Sequence, residues 1–330
     1  MAKDAAGRAV LGGGSGFLGR RLKQALEEDG YEVLVIGREG PDARWDDPLS
    51  ILRAVDGADL VVGLAGKSVN CRYTDANRTE ILRSRVDTTR ALGEAIARAE
   101  NPPAVWMNAS TATIYRYAMD RPQSEGSTEI DTGFSPDVGR IWEAELFAGE
   151  LPRTRRVALR TTIVLGDGGA ATALLFRLAR LGAGGPQFDG WWFPHRRYRG
   201  IGPEPTAHPT EIHRSKGRQK FSWIHIDDFV GAVRFLRDHE EISGPVNMAA
   251  PYPSDNRSLM AALRRTVGMP IGLPAWRFIL EPAMWALRTE SELVLKSRWV
   301  LPGVLSDAGY EFRFPELEPA LGDIWSRRRG

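Results

Sequence analysis

Short apolar runs alternate with longer amphipathic stretches through the first half of the chain, and their two periods predict strands and helices in turn. The run Ala9 to Leu11 enters a glycine-rich turn, after which Leu18, Leu22 and Leu26 fall on one helical face. A second β-rich run, Val33 to Ile36, closes a strand–helix–strand unit of roughly 30 residues. Next come a buried strand in "ADLVVGLAG" and a long helix in "DANRTEILRSRVDTTRALGEAIARAE". That helix has Ile81, Leu82, Arg85, Leu92 and Ile96 at helical spacing. A strand in "PAVWMNAS", a helix from Asp137 to Gly149 and a strand in "RRVALRTTIVLG" complete the series. Such alternation predicts an α/β fold, a Rossmann-type doubly wound parallel sheet covered on both faces.

The second half is less regular. "QFDGWWFPHRRYRGIGPEPTAHPTEIHRSK" is rich in Pro, Gly and aromatics and has neither period, so a structureless insert over 187–216 is expected, a candidate lid. "WIHIDDFVGAV", Trp223 to Val233, reads as a strand and then a helix capped by Asp227 or Asp228, with His225 in the core. The stripe of Trp, Leu and Met in "WRFILEPAMWALRTESELVLKSRWVLP" reads as core packing.

At 330 residues, one large or two closely joined domains are expected, and 42% hydrophobic with 26% charged residues is ordinary globular composition. A formal charge of +2 argues against nucleic acid as a partner. The insert's seven Lys or Arg against two Glu between Arg196 and Lys220, with Trp191, Trp192, Phe193 and Tyr198, do not outweigh it. No apolar run reaches the ~18 residues of a membrane helix. The single cysteine, Cys71, excludes an internal disulfide, fits a reducing cytoplasm and reads as inert. His195, His208 and His213 lack metal-ligand spacing, so no metal is expected.

Gly13, Gly16 and Gly19 form G-x-x-G-x-x-G between a strand and a helix. The first allows the tight turn, the second lets a pyrophosphate approach, and the third lets helix and strand pack, with helix amides facing the phosphates. Where an NAD site carries an acid for the ribose 2′-hydroxyl, this chain has Gly37 and Arg38, and a guanidinium there grips a 2′-phosphate. The cofactor expected is NADP(H).

With "LAG" at Leu64 to Gly66, these residues resemble the extended short-chain dehydrogenase/reductase superfamily. "LAGKSVNCRYTDANRTEILRSRVDTTRAL", "FSWIHIDDFVGAV", "GPVNMAAP" and "VLPGVLSDAGYEFRFPELEPAL" narrow the resemblance to its NADP-binding "epimerase family", which has a C-terminal segment of its own. The resemblance implies NADP(H) along Gly13, Ser15, Gly16, Phe17, Leu18, Gly19, Arg38, Leu64, Ala65 and Gly66. It puts Ala109, Ser110, Thr162 and Val164 at the nicotinamide side. It also implies a Rossmann domain over 1–166, completed by about 222–250, with 167–221 as the insert and part of the substrate domain. Residues 251–330 would be the C-terminal substrate domain.

Extended reductases use a Tyr and, four residues later, a Lys, with a Ser or Thr hydroxyl orienting the substrate oxygen. In "DVGRIWEAEL" those two places hold Val138 and Trp142. "STATIYRYA" resembles the hydroxyl-bearing loop, making Thr111 the first catalytic candidate and Ser110 the reserve. Tyr115 is a third if Arg140 or Arg85 supplies a cation beside its phenol. Two functions compete: an oxidoreductase or epimerase on an unidentified small molecule, or a catalytically weak NADP(H) sensor acting through a protein partner. A homodimer through the helices around Thr79 to Glu100 and Asp137 to Leu146 is expected.

Overall fold

The structure, a computed structural model, describes residues 7–193, 195–202 and 213–329. Its strands are β1 (Gly7–Gly12), β2 (Tyr31–Gly37), β3 (Ala43–Arg44), β4 (Leu60–Gly63), β5 (Val105–Thr111) and β6 (Arg155–Thr161). These are followed by β7 (Ile163–Leu165), β8 (Gln187–Phe188), β9 (Lys220–Phe221), β10 (Trp223–His225), β11 (Gly244–Met248), β12 (Ser254–Asp255) and β13 (Ala275–Trp276). The first-half helices are α1 (Phe17–Glu28), α2 (Pro48–Val55), α3 (Asp75–Arg98) and α4 (Phe134–Leu146). The rest are α5 (Ala170–Arg180), α6 (Ile226–Asp238), α7 (Asn256–Val267), α8 (Arg277–Ala286), α9 (Glu292–Leu295), α10 (Gly303–Asp307) and α11 (Leu317–Arg327).

Seven strands form one sheet in the order β11-β6-β5-β4-β1-β2-β3, every pair parallel. The predicted Rossmann-type fold is therefore the observed one. β4 is buried along its length, as strands covered on both faces must be. On one face Leu22 and Leu26 of α1 meet Val230, Val233 and Leu236 of α6. On the other, Ile51 and Val55 of α2 pack with Leu92 and Ile96 of α3. A separate core joins α5, α7 and α11 through Phe176, Leu259, Leu263, Leu321 and Ile324. No helix of the described residues is long and apolar enough to cross a membrane.

Three features differ from expectation. First, the cap of α6 is neither Asp227 nor Asp228. His225, in extended backbone, accepts the Asp227 amide at Nδ1 over 3.1 Å. Asp228 instead accepts the amides of Arg313 and Phe314 from the tail. His225 is fully buried, and burial lowers its pKa to about 4, so the ring is neutral at physiological pH. Its Nε2 lies 3.3 Å from Asp323, and Arg327 pairs with both Asp227 (2.7 Å) and Asp323 (2.8 Å). Arg21 of α1 adds a third contact to Asp227 at 3.1 Å. This cluster latches α1, α6 and α11 together. Although His225, Asp227 and Asp323 stand close enough to share a cation, the guanidiniums already neutralise the two carboxylates.

Second, the insert is not structureless where described. β8 pairs with β13, and Arg196–Tyr198 forms a 3-10 turn. Arg197 reaches buried Glu290 at 2.7 Å and Glu281 at 3.2 Å, and the Tyr198 hydroxyl donates to Glu290 at 2.8 Å. Residues 203–212, including His208, lie outside the described residues. Third, the apolar stripe of the tail is only half core. α8 buries Leu280, Glu281 and Met284, while Phe278, Ile279 and Trp285 stay exposed.

Candidate functional site

The sheet order reverses between β1 and β4, the switch point at which open α/β sheets hold dinucleotides. The turn after β1 is shaped by three different glycine requirements. Gly13 has φ +87°, and a Cβ there would stand 2.9 Å from the Ala65 backbone. At Gly19 a Cβ would meet the Gly14 Cα at 2.6 Å, so the helix can touch the turn only without a side chain. Gly16 is different: the nearest protein atom to an added Cβ is 3.7 Å away. The protein leaves room at Gly16, and room is what an approaching pyrophosphate uses. Gly16 is also the N-cap of α1, and no side chain caps the helix. The first-turn amides of α1 are thus open to an anion.

Around this turn, Ser15 is exposed, and its carbonyl accepts from Arg20. Phe17 packs against the glycines of the 166–169 loop, Leu18 joins the core, and the Leu64 amide donates to the Gly12 carbonyl at 2.7 Å. Gly66 lies under the Arg85 guanidinium, 3.2 Å from where its Cβ would be. Arg38 is exposed at the end of β2 and makes no hydrogen bond or ion pair among the described residues. On the adjoining β3, Arg44 lies opposite Gly37 and is held by Asp46 at 2.7 Å.

The catalytic candidates separate by what their hydroxyls already do. Thr111 ends β5, which lies between β6 and β4 in the sheet, and its Oγ1 accepts the Thr113 amide at 3.1 Å. Its methyl packs on α4 at Gly139, where an added Cβ would be 2.9 Å away. Accepting leaves the hydroxyl's own proton for donation. Ser110, by contrast, is buried and donates to Glu143 at 2.5 Å. Glu143 is gripped by Arg160 through two bonds, 2.8 and 2.7 Å. Arg160 also donates to the Tyr115 phenol at 2.8 Å, and that phenol donates to Asn247 at 2.9 Å. Ser110, Glu143, Arg160, Tyr115 and Asn247 therefore form one buried network in which each polar group is satisfied.

The cation expected beside Tyr115 is present but is neither Arg140 nor Arg85. Arg140 pairs with Asp137 at 2.8 Å, and Arg85 stacks on Trp142 at 5.0 Å. Burial pushes the Tyr115 phenol up against the pull of Arg160, so it stays protonated at neutral pH. Val138 and Trp142 are buried, the indole donating to Thr89 at 2.9 Å. The Thr162 hydroxyl donates to the Met248 carbonyl at 2.7 Å, and Val164 packs against the core. Cys71 is half-buried, and burial raises its thiol further from reactivity.

Sequence reasoning missed Lys296. Its Nζ is bonded to the Thr113 carbonyl at 2.9 Å, on the turn that Thr111 begins, and to Asp131 at 2.8 Å. Burial lowers its pKa, with Asp131 opposing. Lys296 and Asp131 line a cavity of about 100 Å³ with Tyr117, Asp189 and Tyr198. Only a lone lysine in an apolar tail marks it in the sequence, which carries no positional information.

Comparison with known proteins agrees with this geometry. Residues 9–135 match the NAD dependent epimerase/dehydratase family, and residues 278–324 match a domain of unknown function, DUF1731. The chain is 32% identical to the epimerase family protein SDR39U1 of Bos taurus over 96% of this chain and 99% of that protein. It is 28% identical to the epimerase family protein YfhF of Bacillus subtilis, covering 97% and 98%. The crystal structure of human SDR39U1 (isoform 2) with NADPH superposes with a TM-score of 0.81 at 27% identity, covering 97% and 99%. With a relative 32% identical along nearly the whole length of both proteins and the fold shared, the chain belongs to the epimerase family within the extended short-chain dehydrogenase/reductases.

Proposed function

We propose that this protein is an NADP(H)-dependent oxidoreductase or epimerase acting on a small carbonyl- or alcohol-bearing molecule. The observation that carries this reading is the open end of α1 at the sheet's switch point, beside an unengaged Arg38. The relative crystallised with NADPH supports it. Gly13, Ser15, Gly16, Phe17, Leu18 and Gly19 would hold the pyrophosphate, and Arg38 the 2′-phosphate. Leu64, Ala65, Gly66, Ala109, Ser110, Thr162 and Val164 would border the nicotinamide half. With the hydroxyls of Ser110 and Thr162 engaged internally, both would act through backbone and carbon contacts.

When bound, the cofactor supplies or accepts a hydride. The protein's own part is to orient the substrate oxygen and to manage its proton. Thr111 is suited to the first task, because its hydroxyl keeps a proton to donate. Val138 and Trp142 cannot move a proton, and Tyr115 is fastened into the buried network. Lys296, which reaches from the tail to the Thr113 carbonyl on the turn that Thr111 begins and has its pKa lowered by burial, is the proposed proton source. The substrate domain is proposed to be built from the insert and the tail, which supply Asp189, Tyr198 and Lys296 to one cavity.

A second reading, an NADP(H) sensor with little turnover, is favoured by one observation. Every tyrosine or serine hydroxyl on the Thr111 loop is already engaged. A panel of aldehydes and ketones with NADPH separates the two. The enzyme reading expects net NADPH consumption with at least one compound if the protein is a reductase, or interconversion of an added epimer without net consumption if it is an epimerase. In either case it expects a roughly 100-fold lower kcat in Thr111→Val, with NADPH affinity unchanged. Tight NADPH binding with no turnover of any panel member favours the sensor.

A further inference from the structure

Sixteen large apolar side chains are exposed among the described residues, and ten of them lie in two segments, 181–193 and 271–287. They are Leu181, Trp191, Phe193, Ile271, Leu273, Trp276, Phe278, Ile279, Trp285 and Leu287. The two segments are stitched together. β8 pairs with β13, the Leu273 amide donates to the Gly182 carbonyl at 2.8 Å, and Arg277 donates to the Gly190 carbonyl at 2.7 Å. Within the patch Trp276 stacks on Phe278 at 6.2 Å, and Trp191 meets Phe193 edge-on at 4.6 Å.

The size of this surface is its first informative property. The five aromatics are between 46% and 69% exposed. At 150–250 Å² for each ring, they alone present on the order of 600 Å², the upper limit for the largest patch of a typical monomer. The five aliphatic residues add several hundred more. The total matches the roughly 800 Å² per partner buried in a standard stable interface.

Its second property is that the outward side chains of α8 carry no charge. The outward residues of α8 are Phe278, Ile279, Pro282, Ala283, Trp285 and Ala286, and none can ionise. Arg277 is half-buried and paired with Glu281 at 3.3 Å. Helices that lie on membranes carry Lys and Arg along a polar face that grips lipid headgroups, and α8 has no lysine. A two-fold dimer, in contrast, brings one patch against its own copy, where an uncharged face meets no like-charge repulsion. The outer face of α3 differs: it presents Glu80, Arg83, Asp87, Arg90 and Glu94.

From these observations we infer that the face built by α8, β13 and the first part of the insert is the site at which a second copy of this chain docks. The dimer is isologous, with Phe278 and Trp285 as its aromatic anchors. It pairs the substrate side of one protomer with that of the other, since the same insert and tail supply the cavity containing Lys296.

Sedimentation velocity on the full chain at micromolar concentration tests this. The wild type is expected to sediment as a dimer. Phe278→Ser with Trp285→Ser is expected to raise the dissociation constant roughly 100-fold and yield monomer, with the far-UV circular dichroism unchanged. If the double variant misfolds, Trp285→Lys alone gives the same reading, because that side chain is 69% exposed. Arg83→Glu on the outer face of α3 is expected to leave the dimer intact. A monomeric wild type overturns the proposal, as does a dimer that survives the α8 changes but is lost with Arg83→Glu. Co-sedimentation of the wild type with phosphatidylcholine–phosphatidylglycerol vesicles, abolished by the α8 changes, overturns it in favour of a membrane surface.

Discussion

Replacing Arg160 with methionine is expected to lower the melting temperature by about 10 °C. The reason is the carboxylate left behind. Glu143 and Arg160 have side chains only 11% and 8% exposed, and their pair is the hub of a network running from Ser110 to Asn247. Removing one partner of a buried pair strands the other's charge, which costs about 3–5 kcal/mol. In a domain of this size each kcal/mol shifts the transition by roughly 2–4 °C. Glu143→Gln combined with Arg160→Met strands no charge, so the double variant should be more stable than Arg160→Met alone, with a coupling measurable by a double-mutant cycle. Differential scanning calorimetry on all four proteins decides it. If the two single losses simply add, the pair is not the coupled hub described here.

The second large effect separates the two roles that the glycine pattern assigns to Gly16 and Gly19. Gly19→Ala puts a methyl 2.6–2.7 Å from the backbone of Gly13 and Gly14, which can relieve it only by opening the turn. A loss of about 1–3 kcal/mol in stability is expected, together with loss of dinucleotide binding. Gly16→Ala meets nothing within 3.7 Å and has φ −74°, which alanine adopts freely. Its melting temperature should match the wild type, whereas NADPH binding should weaken at least tenfold, since the methyl enters the space reserved for the pyrophosphate. Thermal melts and a fluorescence titration on each variant read the two outcomes separately. Equal stability and unaltered NADPH affinity in Gly16→Ala would refute the placement of the phosphates at this turn.

These contrasts also mark how far the sequence could be read. The alternating periods and the strand–turn–helix setting of the glycines are local signals, and they suffice for the sheet and the α1 turn, while Thr111 is marked by the resemblance of its loop to that of the extended reductases. The cation beside Tyr115 was not local. Arg160 comes from the neighbouring strand, 45 residues away, and nothing in the spacing of "RRVALRT" ties it to a phenol. The α6 cap was missed for a chemical reason: an imidazole nitrogen accepts an amide proton as a carboxylate does, but His is seldom counted among caps. In α8 the period was legible and the partner was not. A helix apolar on both faces reads as buried, and only the fold reveals that one face has no cover. Lys296 reaches the Thr113 carbonyl from 183 residues away, through a tail whose path no periodicity predicts.

The central claim is that the open α1 turn and Arg38 together bind NADP(H). It is tested most directly by titrating the wild type and Arg38→Ala with NADPH and with NADH, following cofactor fluorescence. The account predicts tight NADPH binding by the wild type, weakened roughly 10- to 100-fold by the substitution as charge-assisted bonds to the 2′-phosphate are lost. NADH binding should be the same in both proteins. NADPH affinity that is indifferent to Arg38→Ala, or failure of the wild type to bind either nucleotide, would contradict it.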